Sequence, residues 1–210
     1  VGDQVVMTSG TDYGRAQAWN HIAMTCKRNG TVLTFRFFCN GRHVSSFDAG
    51  SGNYINDGSK RIVLGTGHAE TGGSIFMDEI RYVAGETIFP QDGSDFTPST
   101  VRYGSSGATH EAASASNMKF LLHSNLSSSG NQNFADSSSS SISLSASGSP
   151  THSLSASGIA TAMSWPASGK AHGSSGIYFD GSGDYLTATH KTEFNIGSSS
   201  TFTIDFWIYP

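Results

Sequence analysis

The sequence predicts an all-β, antiparallel sandwich of two sheets, and three observations carry that expectation. Apolar residues recur at every second position in several short stretches, the period of a half-buried strand, and no helical period is sustained. Glycine is abundant at 25 residues and proline scarce at 5, with serine dominating the second half, a composition of turns and polar strands. Asn29-Gly30 and Asn40-Gly41 fall beside alternating segments, where tight hairpin turns belong. At 210 residues the chain is long enough for one such sandwich.

Val1 to Thr8 holds the apolar run Val5-Val6-Met7, followed by a polar loop from Ser9 to Ala18. Trp19 to Cys26 places Ile22, Met24 and Cys26 on one face, and Arg28-Asn29-Gly30-Thr31 turns the chain. Leu33, Phe35, Phe37 and Cys39 then continue the alternation against Thr34, Arg36 and Asn40. With Asn29-Gly30 as the turn, Cys26 faces Leu33 and Cys39 faces Asn20, so these two cysteines are expected to be separate buried thiols. Ser45 to Tyr54 is expected to run loosely toward Ile62-Val63-Leu64.

After a Gly-rich bend from Gly65 to Gly73, simple alternation over 74–83 sets Phe76, Ile80 and Tyr82 on the face that carries Asp78. A buried carboxylate needs hydrogen-bond partners or a cation, and Asp78 is expected to accept N–H bonds from a neighbouring loop. Phe96 to Ala115 reads as a connector. Phe120-Leu121-Leu122-His123 begins a new strand, and Ser143 to Gly148 recurs ten residues later as Ser153 to Gly158. Ile142, Leu144 and Ala146 sit at alternate positions within that serine tract, which favours strands over a disordered linker. Gly176 to Leu186 reads as strand, Gly-rich turn, strand.

The last stretch, Thr201 to Pro210, carries Phe202, Ile204, Phe206 and Ile208 on one face and Thr203 and Asp205 on the other. An apolar strand with an unpaired edge invites pairing with another chain, so this stretch is expected to need a partner.

Charged residues make up only 13% of the chain and the net charge is -4, which leaves no electrostatic footprint for nucleic acid or an anionic membrane surface. No run approaches the roughly 18 apolar residues of a membrane span. Val1 follows neither an initiator Met nor a signal peptide, so a mature or partial piece is expected.

Trp19-Asn20-His21-Ile22-Ala23, Leu33 to Gly41, Met77-Asp78-Glu79-Ile80-Arg81 and Phe96-Thr97-Pro98 resemble, in order, the second half of a laminin G-like, concanavalin A-like jelly roll. The likeness is strongest to the versions in phage tail fibres and bacterial surface proteins. Phe179-Asp180-Gly181, Gly183-Asp184-Tyr185-Leu186 and Phe202 to Ile208 are similar to the opening half of the same fold. The opening half comes last, so the resemblance implies a permuted jelly roll. Residues 1–103 are its C-terminal half, 104–116 a Ser/Gly-rich connector and 117–210 its N-terminal half, together one sandwich within or between chains.

The expected function is a non-catalytic structural module of an extracellular fibre or virion appendage, with other copies of itself as partners. Val5, Val6, Met7, Phe202, Ile204, Phe206 and Ile208 are the candidate assembly residues. The alternative is a carbohydrate-binding adhesion module, for which Trp19, Trp165, Trp207, Tyr13 and Tyr54 are stacking candidates, none assigned to a glycan. Glucan hydrolysis, known among related jelly rolls, needs two carboxyl groups about 5 Å apart. Asp78 and Glu79, as neighbours on a strand, are expected on opposite faces, and Asp205 stands alone.

The resemblance also raises calcium. Asp48, Asp57, Asp180 and Asp184 lie in Gly-rich turns where oxygen ligands could converge, or where aspartates cap turns through their own side chains. The eight histidines show no His-x-x-x-His pairing, and no Gly-x-Ser-x-Gly elbow precedes a helix, which argues against zinc and a serine nucleophile. Asn29-Gly30-Thr31 and Asn125-Leu126-Ser127 are glycosylation sequons.

Overall fold

The computed structural model describes residues 14, 18–49, 62–65, 73–99, 102–104, 113–124, 130–154, 175–194 and 201–210. These form β1 (Asn20–Asn29), β2 (Val32–Cys39), β3 (Arg42–Ala49), β4 (Ile62–Gly65), β5 (Ile75–Ala84), β6 (Met118–Leu122), β7 (Leu144–Ser147), β8 (Thr151–Ser153), β9 (Gly176–Phe179), β10 (Tyr185–Ala188) and β11 (Phe202–Tyr209). The larger sheet runs β3-β2-β1-β11-β5-β9-β8, with β6 also beside β5, and the smaller runs β4-β10-β7. The named strands pair antiparallel throughout. The chain is therefore all-β, with two antiparallel sheets and the character of a β-sandwich.

The β1–β2 turn is centred one residue later than the sequence implied. Asn29 pairs with Val32, and Gly30 at φ 60 takes the first central position, which shifts the register by two. Cys26 consequently faces Phe35, and Cys39 faces Ile22. Both thiols are free and buried. Burial, against a weaker opposing pull from Arg28, lifts the Cys26 thiol to about 11, and burial raises Cys39 as well.

Asn40 at φ 53 and Gly41 at φ 77 supply the two left-handed positions of a type I′ turn. β3 follows where the sequence implied a loose run, and its Phe47 ring lies 6.1 Å from Phe35 across the pair. A Cβ at Gly41 would collide with the carbonyl oxygen of Phe96, whose own N–H donates to the Gly41 carbonyl at 2.8 Å. Gly41→Ala is therefore expected to cost more than about 1 kcal/mol in urea unfolding, because strain and overlap add. An unchanged midpoint would contradict this placement.

The interior lies between the sheets. Ile80, Tyr82, Phe120, Leu122, Ile177, Phe179 and Phe202 of the larger sheet meet Leu186 and Ala188 of β10, with Ile62, Leu64 and Leu144 packed against them. The Gly-rich turn after β9 does not make a hairpin. β9 pairs with β5 and β8, β10 with β4 and β7, so the turn carries the chain from one sheet to the other. The serine tract does supply a strand, β7, while its second copy from Ser155 onward lies outside the described residues. Asp136 fixes the tract to β6 by accepting the N–H groups of Leu121 at 2.9 Å, Ser138 at 2.9 Å and Ile142 at 2.8 Å.

The outer face of the larger sheet is covered by a strap over residues 86–104 that has no regular structure. Its contacts advance strand by strand. The Ile88 N–H donates to Thr203 of β11 at 3.2 Å, and the Gln91 side-chain amide to Thr25 of β1 at 2.6 Å. Arg36 of β2 donates to the Gln91 carbonyl at 3.2 Å, and the His43 N–H of β3 to Asp95 at 2.9 Å. Phe89 and Phe96 pack with Ala23 and Phe38 beneath the strap.

β11 is not an edge. It lies between β1 and β5 of its own chain, with Ile204 opposite both Met24 and Tyr82. Phe202, Ile204, Phe206 and Ile208 face the interior as the alternation implied. The opposite face is no less enclosed, since Thr203, Asp205 and Trp207 are buried under the strap. Val5, Val6 and Met7 lie outside the described residues.

Candidate functional site

The polar groups that sequence reasoning could not place converge on a bulge in β5. Asp205 pairs with Arg81 but Trp207 with Asp78, so β5 carries one extra residue, and Glu79 takes a left-handed φ of 50. The extra residue reverses the alternation. Ile80 and Tyr82 enter the interior, while Phe76 joins a separate outer cluster with Trp19, Tyr103 and Trp207. Asp78 therefore does not share a face with Ile80 and Tyr82, contrary to the simple alternation. The far edge of β5 is shared there too, with β9 pairing residues 75–77 and β6 pairing residues 80–83.

On the outer face Arg81 donates to both carboxylate oxygens of Asp205, from Nε and Nη2 at 2.8 Å each. This two-point geometry is the strong form of a guanidinium–carboxylate pair. The guanidinium also lies over the Tyr103 ring, with Cζ 3.9 Å from its centre. His21 Nε2 approaches Asp205 Oδ2 at 3.3 Å and the Tyr103 hydroxyl at 3.0 Å. Its ring is enclosed by Trp207, Phe89 and Phe96 at 5.2, 5.7 and 5.8 Å, and its Nδ1 has no partner. Asp205 thus does not stand alone.

The bulge turns Asp78 and Glu79 toward the same departing chain, not to independent surroundings. Asp78 Oδ1 accepts the N–H groups of Ser124 at 2.8 Å and Glu79 at 2.9 Å, so it does cap a neighbouring loop. Glu79 Oε1 meets His123 Nδ1 at 2.7 Å, and Oε2 accepts the Tyr103 N–H at 2.7 Å. Ser124 Oγ in turn meets His152 Nδ1 at 2.8 Å and Ser175 Oγ at 2.9 Å, while His152 Nε2 reaches the Asn133 carbonyl at 3.2 Å. Serine beside imidazole is the arrangement of an activated nucleophile. Here Ser124 is fully buried, and Asp78 touches its backbone, leaving the imidazole to a carbonyl.

The two aspartates are held in opposite ways. Burial alone would raise Asp205, but the Arg81 charge and the His21 contact outweigh it and hold the carboxyl at about 2. Its contribution is present above the unfolded value near pH 4 and is lost as pH falls toward 2. Burial first, then the Glu79 charge, push Asp78 well above the ordinary range, against its two N–H donors and Arg102. A raised carboxyl stabilises the fold below about pH 4 and loses that contribution as pH rises. Asp78 Oδ2 has no partner. Asp78→Asn keeps an acceptor for Ser124, so it is expected to raise the urea midpoint at pH 7 and leave pH 4 nearly unchanged. A lower midpoint at pH 7 would contradict this.

The calcium candidates do not converge. Asp48 lies on β3, Asp180 and Asp184 lie between β9 and β10, and Asp57 is outside the described residues. Asp184 accepts the N–H of Ser149 at 2.5 Å and of Asp180 at 3.0 Å, and Asp180 accepts that of Ser182 at 2.7 Å. Among the described residues no group of three or more His, Cys, Asp or Glu side chains is placed to hold a metal. The melting temperature is accordingly expected to be unchanged by EDTA, and a drop would restore the calcium reading.

Trp19 and Trp207 are buried, and Tyr13, Tyr54 and Trp165 lie outside the described residues. The sequence pass missed a different aromatic row. Tyr178 pairs with Phe76 and Phe76 with Tyr209, three partly exposed rings on adjacent strands of the outer face. Their common signal, an aromatic at an outward position of each strand, is readable only once the register is known. No helix among the described residues is long and apolar enough to cross a membrane. The chain matches no protein-family model, no curated protein and no solved structure.

Proposed function

We propose that the chain is a non-catalytic structural module of an extracellular fibre or virion appendage. In this reading it is a concanavalin A-like jelly roll with its halves in permuted order, closing within one chain or between neighbouring copies. The observation that carries the reading is the enclosure of β11, from the second half, between β1 and β5, from the first. β4 of the first half likewise pairs with β10 of the second. Neither half holds a complete sheet, so each needs the other's strands. Antiparallel pairing sets Ile208 opposite Asn20, so the end of β11 lies beside the start of β1. That is where a jelly roll written in its ordinary order would join them.

A split of this kind allows the complementary half to come from a second copy about the 104–116 connector, since exchanged elements make the same contacts. Sealed burial of Asp78, Glu79 and Ser124 supports the non-catalytic reading. Sedimentation velocity across concentrations, with electron microscopy of the concentrated sample, tests the assembly. Concentration-dependent oligomers or filaments are expected, and a monomer throughout would contradict it.

Saccharide binding is the second reading, favoured by the Tyr178–Phe76–Tyr209 row. The Phe76 and Tyr178 ring centres are 5.0 Å apart and those of Phe76 and Tyr209 6.2 Å. Neighbouring aromatic faces of this kind offer a sugar ring an apolar platform. Binding on a glycan array that Tyr178→Ala abolishes would support it, and an array without binding would remove it.

A further inference from the structure

The ionic contacts of the seam join one half of the chain to the other. Arg81 and His21 of the first half meet Asp205 of the second, and Glu79 of the first meets His123 of the second. The Asp78–Ser124 hydrogen bond crosses the same boundary. Buried pairs of this kind add little net stability against apolar packing, yet removing one partner strands the other. Their best-attested use is to fix which surfaces meet and in what register.

We infer that the seam is a recognition code by which one half selects its complement, with the complementary half of a second copy as the partner. This inference rests on the exchange reading above. Charge signs alternate along β5, negative at Glu79 and positive at Arg81. A slip of β11 by one residue would turn Asp205 into the interior, where Ile204 and Phe206 belong. A slip by two toward the bulge would move Asp205 from Arg81 to Glu79 and bury two like charges side by side. Two first halves brought together would leave Arg81 without its carboxylate. The code therefore excludes the wrong registers and the wrong half.

The test uses two full-length chains, Arg81→Asp and Asp205→Arg. Each alone is expected to melt about 10 °C or more below the parent, because each buries like charges. Carrying both substitutions in one chain is expected to recover at least half of that loss. An equimolar mixture of the two single variants, unfolded and refolded together, is expected to form a heterodimer by native mass spectrometry. In that dimer the unaltered Asp205 meets the unaltered Arg81, and the two introduced charges meet each other.

Recovery in the doubly altered chain without a heterodimer leaves the code standing and overturns exchange between copies. A reversed pair that fails to fold is covered by a milder cycle of Asp205→Asn and Arg81→Met, in which the double loss is expected to be smaller than the sum of the singles. Additive losses in both cycles overturn the code.

Discussion

Asp205→Asn is expected to lower folding stability by about 3–5 kcal/mol at pH 7, the loss that follows when a buried ion pair is broken by removing one partner. The substitution keeps the shape of the side chain and removes its charge. Arg81 then remains buried, with its guanidinium against Tyr103 and no carboxylate to meet it. The seat is the middle of the larger sheet, so no local rearrangement offers the cation water. Urea unfolding measures the loss directly, and a change under about 1 kcal/mol would mean that the pair behaves like a solvated surface contact. The acid branch gives an independent check. The parent should lose about 2 kcal/mol between pH 4 and pH 2 from Asp205, whose carboxyl is held at about 2, and the variant should lack that component.

Phe179→Ala is expected to cost about 3–5 kcal/mol, the range for deleting a buried phenyl ring. Phe179 belongs to β9 of the larger sheet, and its ring lies so close to Gly65 of β4 that a Cβ there would overlap it. The ring therefore fills the junction of the two sheets, and Gly65 at φ 98 is the backbone that lets it do so. Removing the ring opens a cavity that rigid strands on both sides close only in part. Thermal and urea unfolding should agree on a large loss, and a loss below about 1 kcal/mol would mean that the sheets do not pack there.

Regions of regular alternation were legible in the sequence. Ile22, Met24 and Cys26, then Leu33 to Cys39, give β1 and β2, and Asn40-Gly41 gives the turn into β3. Leu144 and Ala146 mark a strand despite their serine surroundings. The seam was hidden for two physical reasons. A bulge adds one residue and inverts every later side-chain direction, and a left-handed Glu79 gives no local warning, since glycine is the residue that advertises such a φ. The strap carries Phe89, Phe96 and Tyr103 at irregular spacing, so no period shows that it lies against a sheet. A weaker signal was present. Arg81 and Asp205 each interrupt an otherwise apolar strand, and charges in such places call for each other. The Asp78 cap was readable because the chemistry of a buried carboxylate leaves few alternatives.

The placement of β11 is tested most directly by cross-strand proton contacts in a labelled sample, with mixed labelled and unlabelled chains to separate contacts within a copy from those between copies. Ile204 should show backbone contacts to Met24 of β1 and to Tyr82 of β5 in the same spectrum. Contacts from Ile204 to only one of these strands, or to neither, would contradict a sandwich whose central strand is enclosed by the other half of the chain.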